Sequence, residues 1–145
     1  MEKQKRITIF APEIKDREEI GLAVESYFKK EFGTYFDDLQ IQKYAYTNDP
    51  KKEDDYLGHW NEVLAVFDQR FVPKEKRCKD FKNTIYFKSL KASHEMSINL
   101  CKDKNIPYVI YRGEITKKQE YLFVMEINNL KGKIKDRLEG LITSD

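Results

Sequence analysis

The chain has 145 residues, of which 40% are hydrophobic, so it fits one domain with a real core and is too apolar for a disordered tail. Lys and Arg number 27 against 25 Asp and Glu, and a net charge of +2 argues against a surface coated throughout for nucleic acid. Two cysteines, Cys78 and Cys101, form no Cys-x-x-Cys pair and have no His at metal-ligand spacing, which predicts a reduced cytoplasmic protein without a metal centre. Cys101, inside a helical pattern, reads as a small buried hydrophobe.

No apolar run approaches the roughly 18 residues that a bilayer span requires. The opening MEKQKRITIF passes straight into a strand pattern, so neither a leader nor a membrane anchor is expected. Arg6 to Phe10 predicts the first strand, stopped by Ala11-Pro12. Asp16 to Phe32 has helical spacing, with Ile20, Val24, Tyr27 and Phe28 on one stripe, Asp16 as N-cap, Glu19 as its capping-box partner and Gly33 as the stop. Leu39 to Tyr46 alternates as a half-dry strand. Thr47 to Asp55 is a polar loop, and Tyr56 to Trp60 a short turn or helix.

Glu62 to Phe67 carries an unbroken apolar run, the mark of a parallel strand covered on both faces. Phe71 to Asn83 is loop-like and basic. Thr84 to Phe87 predicts a strand, Ser93 to Lys104 a helix and Tyr108 to Tyr111 a strand, together one βαβ crossover. Thr116 to Thr143 reads as a long helix with Ile127, Leu130, Ile134, Leu138 and Leu141 on one stripe and a weak point at Gly132. This order predicts a single α/β domain of Rossmann-like or flavodoxin-like type: a mostly parallel sheet, flanking helices and a long C-terminal helix.

In such a sheet, ligands gather beyond the carboxyl ends of the strands. Asp68 and Arg70 follow the buried strand, and Lys88, Lys91, Ser93 and His94 lie between the next strand and its helix. With Arg112, they are the candidate binding residues. A helix mouth offers unpaired N–H groups, and Ser, His and Lys beside it suit a phosphate or a nucleotide-like ligand. Taken singly, each has an ordinary reading: Ser93 as an N-cap, His94 as a surface residue, Asp68 as a turn former. Neither G-x-G-x-x-G nor G-x-x-x-x-G-K-[ST] occurs, so the usual dinucleotide and NTPase signatures are missing and no cofactor is called for.

The stretch SHEMSINLCKDKNIPYVIYRG, Ser93 to Gly113, resembles part of a family of small bacterial Rossmann-like domains of unknown function. In that family a Ser-His pair opens a helix, a Lys-rich turn follows, and an IPxxxxRG-like strand closes the unit. Ser93, His94, Ile106, Pro107, Arg112 and Gly113 carry the match, which covers about a seventh of the chain. The long C-terminal helix lies outside it. The resemblance implies the Rossmann-like fold and no particular reaction.

Catalytic combinations fare poorly. Cys101 and His94 are seven residues apart, roughly 10 Å along a helix. Adjacent Ser93 and His94 point in different directions, which spoils a triad with Asp68. His59, His94 and scattered carboxylates make no metal set. Glu95, at the expected helix start, is the one acid placed for glycosidic cleavage of the TIR-like or deoxyribosyltransferase-like kind, and an acid in a first turn is also ordinary dipole chemistry. The sequence therefore favours non-enzymatic binding of a small phosphorylated or nucleotide-like ligand, in a signalling or defence setting. The competing reading is a protein-interaction module, an inhibitor or adaptor. It would use the aromatic loops and the C-terminal helix, whose stripe suits packing on the sheet or, nearly as well, a homodimer seam. The basic stretch Pro73 to Lys82, flanked by aromatics, is read as a solvated loop rather than a nucleic-acid surface.

Overall fold

The computed structural model describes residues 5–47, 57, 61–74, 80, 83–112 and 117–140. Its elements are β1 (Lys5–Phe10), α1 (Ile14–Glu31), α2 (Gly33–Phe36), β2 (Gln40–Tyr44), β3 (Asn61–Asp68), α3 (Ile85–Asp103), β4 (Tyr108–Tyr111), α4 (Lys117–Asn129) and α5 (Lys131–Leu138). The four strands form one all-parallel sheet in the order β2-β1-β3-β4. This is a Rossmann-like or flavodoxin-like arrangement, as the apolar run in β3 requires: all eight of its residues are buried.

Side-chain alternation splits the core in two. Ile7, Ile9, Leu64, Val66, Val109 and Tyr111 face α1, α4 and α5, where Ile20, Val24, Phe28, Phe123, Ile127 and Ile134 complete the cluster. Phe10, Ala65, Phe67 and Tyr108 face α3 and pack on Leu90, Cys101 and Ile106. The phase is set by a β-bulge. Arg6 pairs with Glu62 and Ile7 with Leu64, so Val63 is an extra residue in β3.

Thr84 to Phe87 is not a strand. Thr84 is the N-cap of α3, and its hydroxyl accepts the Phe87 N–H at 3.1 Å. The buried face of α3 is Leu90, Ser93, Ser97 and Cys101, a helical spacing, while Ile85 is 84% exposed, as no central-strand residue would be. The neighbour of β3 on that side is β4, so the crossover runs from β3 through α3 to β4. Helix α1 begins at Ile14 with Glu13 as N-cap, which leaves Asp16 inside its first turn. It ends at Glu31, before Gly33, which opens the short α2.

The C-terminal segment is two helices. The break falls at Leu130, whose N–H turns back to the Ile127 carbonyl, two residues before Gly132. Ile127, Ile134 and Leu138 are fully buried against the chain's own sheet. Of the two readings of the stripe, packing on the sheet is the one these residues show; Leu141 lies outside the described residues. Arg137 fixes α5 in place. One Nη1 hydrogen goes to the Glu62 carbonyl, and Nη2 donates to the carbonyls of Lys104 and Asn105, all at 2.9 Å.

Candidate functional site

Chain order in the sheet reverses between β1 and β3, since β1 leads to β2 on one side and β3 lies on the other. A crevice forms beyond the carboxyl ends of strands at such a switch point. Asp68 closes β3 there, fully buried, on the α1 face that strand alternation shares with Leu64 and Val66. Its Oδ1 accepts the Arg70 backbone N–H at 2.8 Å and Nε at 3.1 Å, and its Oδ2 accepts Nη2 at 2.9 Å. The same Nη2 reaches Asp16 Oδ2 at 3.0 Å. Arg70 is thus a bridge between two carboxylates from separate elements, only 20% exposed. The bond to Asp68 above all, with both acids' charge, raises its pKa against the opposing effect of burial.

The surrounding contacts hold this bridge rigid. Tyr46 donates its hydroxyl to the Asp68 carbonyl at 3.0 Å. Arg17 donates to the Ala11 carbonyl at 2.8 Å, tying α1 to the end of β1. Glu13, at the mouth of α1, accepts the backbone N–H of Lys74.

Tyr111 completes the site from the end of β4. Its side chain is 2% exposed and its hydroxyl has no hydrogen-bond partner. A buried hydroxyl left unpaired costs about 1–3 kcal/mol, so its retention needs an explanation. Burial pushes its pKa up; Asp16, Asp68 and Glu19 add to the rise, and Arg70 opposes it. The phenol therefore stays protonated and is a hydrogen-bond donor. Beside it, a cavity of about 230 Å³ opens between α1 and α4, lined among others by Glu19, Ile20, Ala23, Tyr111, Glu120 and Phe123.

Of the seven residues expected to bind, the structure brings together Asp68 and Arg70. Ser93 and His94 are not at a helix mouth. They lie about two turns inside α3, on the opposite face of the sheet from the Asp68 carboxylate. Ser93 is fully buried, with an unpaired Oγ. His94 stacks on Phe71, with ring centroids 5.2 Å apart, and meets Tyr46 and Phe67 edge-on. Burial lowers its pKa, Glu95 partly opposing, so it is a neutral aromatic partner. Lys88 and Lys91 are exposed along α3, and Arg112 is exposed after β4.

Two site residues escaped the sequence reading. From the sequence, Asp16 reads as the cap of α1 and Tyr111 as a strand residue. The signal for Asp16 lay three residues downstream of the true cap, in an acid free of capping duty.

Among the described residues, no three His, Cys, Asp or Glu side chains are placed to hold a metal ion. Cys101 is buried and its thiol pKa is raised, chiefly by desolvation, so it is no nucleophile. Among the same residues, no helix is long and apolar enough to cross a membrane. His59 and Cys78 lie outside the described residues. Comparison with protein-family models, curated proteins and solved structures finds no match to this chain.

Proposed function

We propose that the chain binds a small nucleoside- or nucleotide-like ligand at the β1/β3 switch point, with Asp68, Arg70, Asp16 and Tyr111 as the recognition set. The observation that carries the reading is the Asp68–Arg70–Asp16 bridge next to a buried phenol without a partner. Its carboxylates keep acceptor capacity for ligand hydroxyls, and the phenol keeps a proton to donate. A phosphate has little welcome at the inner end, where Arg70 already serves two acids and Glu19 adds a third charge. Any phosphate belongs at the outer mouth of α1, where the described basic residues are Lys15 and Arg17 of its first turn and Lys74, whose backbone N–H is held by Glu13. No residue of the set is placed as an activated nucleophile, which favours recognition over catalysis.

A thermal-shift screen against nucleosides and mono-, di- and cyclic nucleotides tests the reading. A member of the panel should raise the melting temperature of the protein, and Tyr111→Phe should reduce that shift. A panel without any stabilising member would refute the proposal.

A second reading has its own observation. Leu22 on α1 and Tyr121, Leu122 and Met125 on α4 are large apolar side chains left exposed. Such a surface suits a protein partner. It predicts binding that survives Tyr111→Phe and is lost on Met125→Glu.

A further inference from the structure

Helices α1 and α4 run side by side in the same direction. Glu19 and Glu120 border one hollow between them, and the Tyr27 hydroxyl donates to Asn128 at 3.2 Å further along. A second hollow shares Ala23, Ser26 and Glu120 with the first, so the two, about 230 and about 350 Å³, form one trough. Large apolar side chains stand exposed on both rims: Leu22 on α1, and Met125 on α4 with Tyr121 one turn before it. Between the rims α1 presents only the small side chains of Ala23 and Ser26. Projections and hollow therefore lie on one surface. Exposure alone does not name what covers it; the order of the charges does. Glu19 lies toward one end of the trough and Lys30 toward the other, about 16 Å on along α1. Among the described residues neither makes an ion pair, while Glu31, beside Lys30, is held by Lys131 at 2.7 Å. Lys15 and Lys118 do not line the trough.

A surface with an acid at one end, a base at the other and small residues midway is complementary to itself turned end for end. A two-fold axis lying across the helices above Ala23 and Ser26 makes that turn, because such an interface sets residue i against j and j against i. Residues 23 and 26 share a midpoint with residues 19 and 30. One axis therefore places Ala23 on the other copy's Ser26, which lets the helices approach closely, and Glu19 on the other copy's Lys30. The same axis stacks the Tyr121 and Met125 rims. We infer that the α1/α4 face is a homodimer interface, with α1 antiparallel to its own copy and Glu19 opposite Lys30 at both ends. The inference rests on the protein-partner reading of this surface and names the partner as a second copy of the chain. The face is two helices wide and about 20 Å long, small for a permanent dimer, so association belongs in the micromolar range.

Sedimentation velocity of the intact chain from micromolar to millimolar concentration tests it. The wild-type chain should show a monomer–dimer equilibrium, and Met125→Glu should leave only monomer. Lys30→Glu and Glu19→Lys should each weaken dimerisation about tenfold, since each sets like charges together at both ends. An equimolar mixture of the two variants should dimerise as tightly as the wild type, because every contact in the mixed dimer again joins opposite charges. A folding defect would not be repaired by mixing, and melting temperatures of the separate variants check for one. A chain that stays monomeric throughout would overturn the dimer and leave the surface to a different protein partner. A dimer indifferent to Met125→Glu, or a mixture no tighter than the single variants, would overturn it too, since the contact would then lie elsewhere or lack this register.

Discussion

Replacing Arg137 tests how the C-terminal helix is held. The guanidinium is fully buried and donates three hydrogen bonds, one to the carbonyl of buried Glu62 and two to the end of α3. Arg137→Ala removes about three methylene equivalents of packing, worth about 2 kcal/mol. It also strips a donor from the Glu62 carbonyl, about 1–3 kcal/mol more. The Lys104 and Asn105 carbonyls lie nearer the surface and regain water, so they add little. The total is about 3–5 kcal/mol, a large share of a typical stability of about 5–15 kcal/mol. In melting temperature this is on the order of 10 °C. Urea unfolding followed by far-UV circular dichroism measures it. Arg137→Met, which keeps the stem and loses the donors, should recover about 2 kcal/mol. A loss below about 1 kcal/mol for Arg137→Ala, or wild-type stability for Arg137→Met, would show that the hydrogen bonds do not hold α5.

Glu62 is buried with both carboxylate oxygens 2.9 Å from the Thr8 hydroxyl, and burial raises its pKa well above 4.5 against the lowering effects of Thr8, Arg6 and Arg137. The native state then holds a proton that the unfolded chain releases, so stability should fall as pH rises above 4.5, by up to about 1.4 kcal/mol per pH unit. Glu62→Gln should flatten that decline in urea midpoints taken across the range, and an unchanged slope would count against it. His94 acts in the opposite sense. Its folded pKa lies below 6.5, so stability is lost as pH falls below that value, and His94→Phe should hold its melting temperature better on acidification. Thr84→Ala should cost about 1 kcal/mol and speed hydrogen exchange in the first turn of α3, where its cap bond is lost. Tyr111→Phe should leave stability unchanged or raise it by up to about 1 kcal/mol, because the hydroxyl it removes has no partner; clear destabilisation in the same assay would reveal one.

Much of the architecture is legible in the chain because the periodicity of α1 and the apolar run of β3 report burial directly. Ile20, Val24, Tyr27 and Phe28 all reach the core, as their spacing implies. Thr84 to Phe87 misleads because β-branched and aromatic residues favour strands locally, whereas the Thr84 cap and the downstream face of α3 decide the outcome. Moving the start of α3 forward is what takes Ser93 and His94 from a helix mouth into its interior. Asp68 and Arg70 are legible as a site because both follow the central strand. Asp16 meets Arg70 across 54 positions, and the unpaired phenol of Tyr111 is a property of packing, so neither leaves a local trace.

The extra residue at Val63 has a consequence for where negative charge goes. Residues 62 and 68 are an even number apart, and in a regular strand their side chains would leave the same side. The bulge inverts that phase, sending Glu62 toward Thr8 under α3 and Asp68 toward Asp16 at the start of α1. Deleting Val63 would straighten the ladder and leave the acids five residues apart, still on opposite sides; a regular ladder that kept all eight residues would bring both out on one side. The chain would then have to give up either the Thr8 contact at one end of its central strand or the Arg70 bridge at the other.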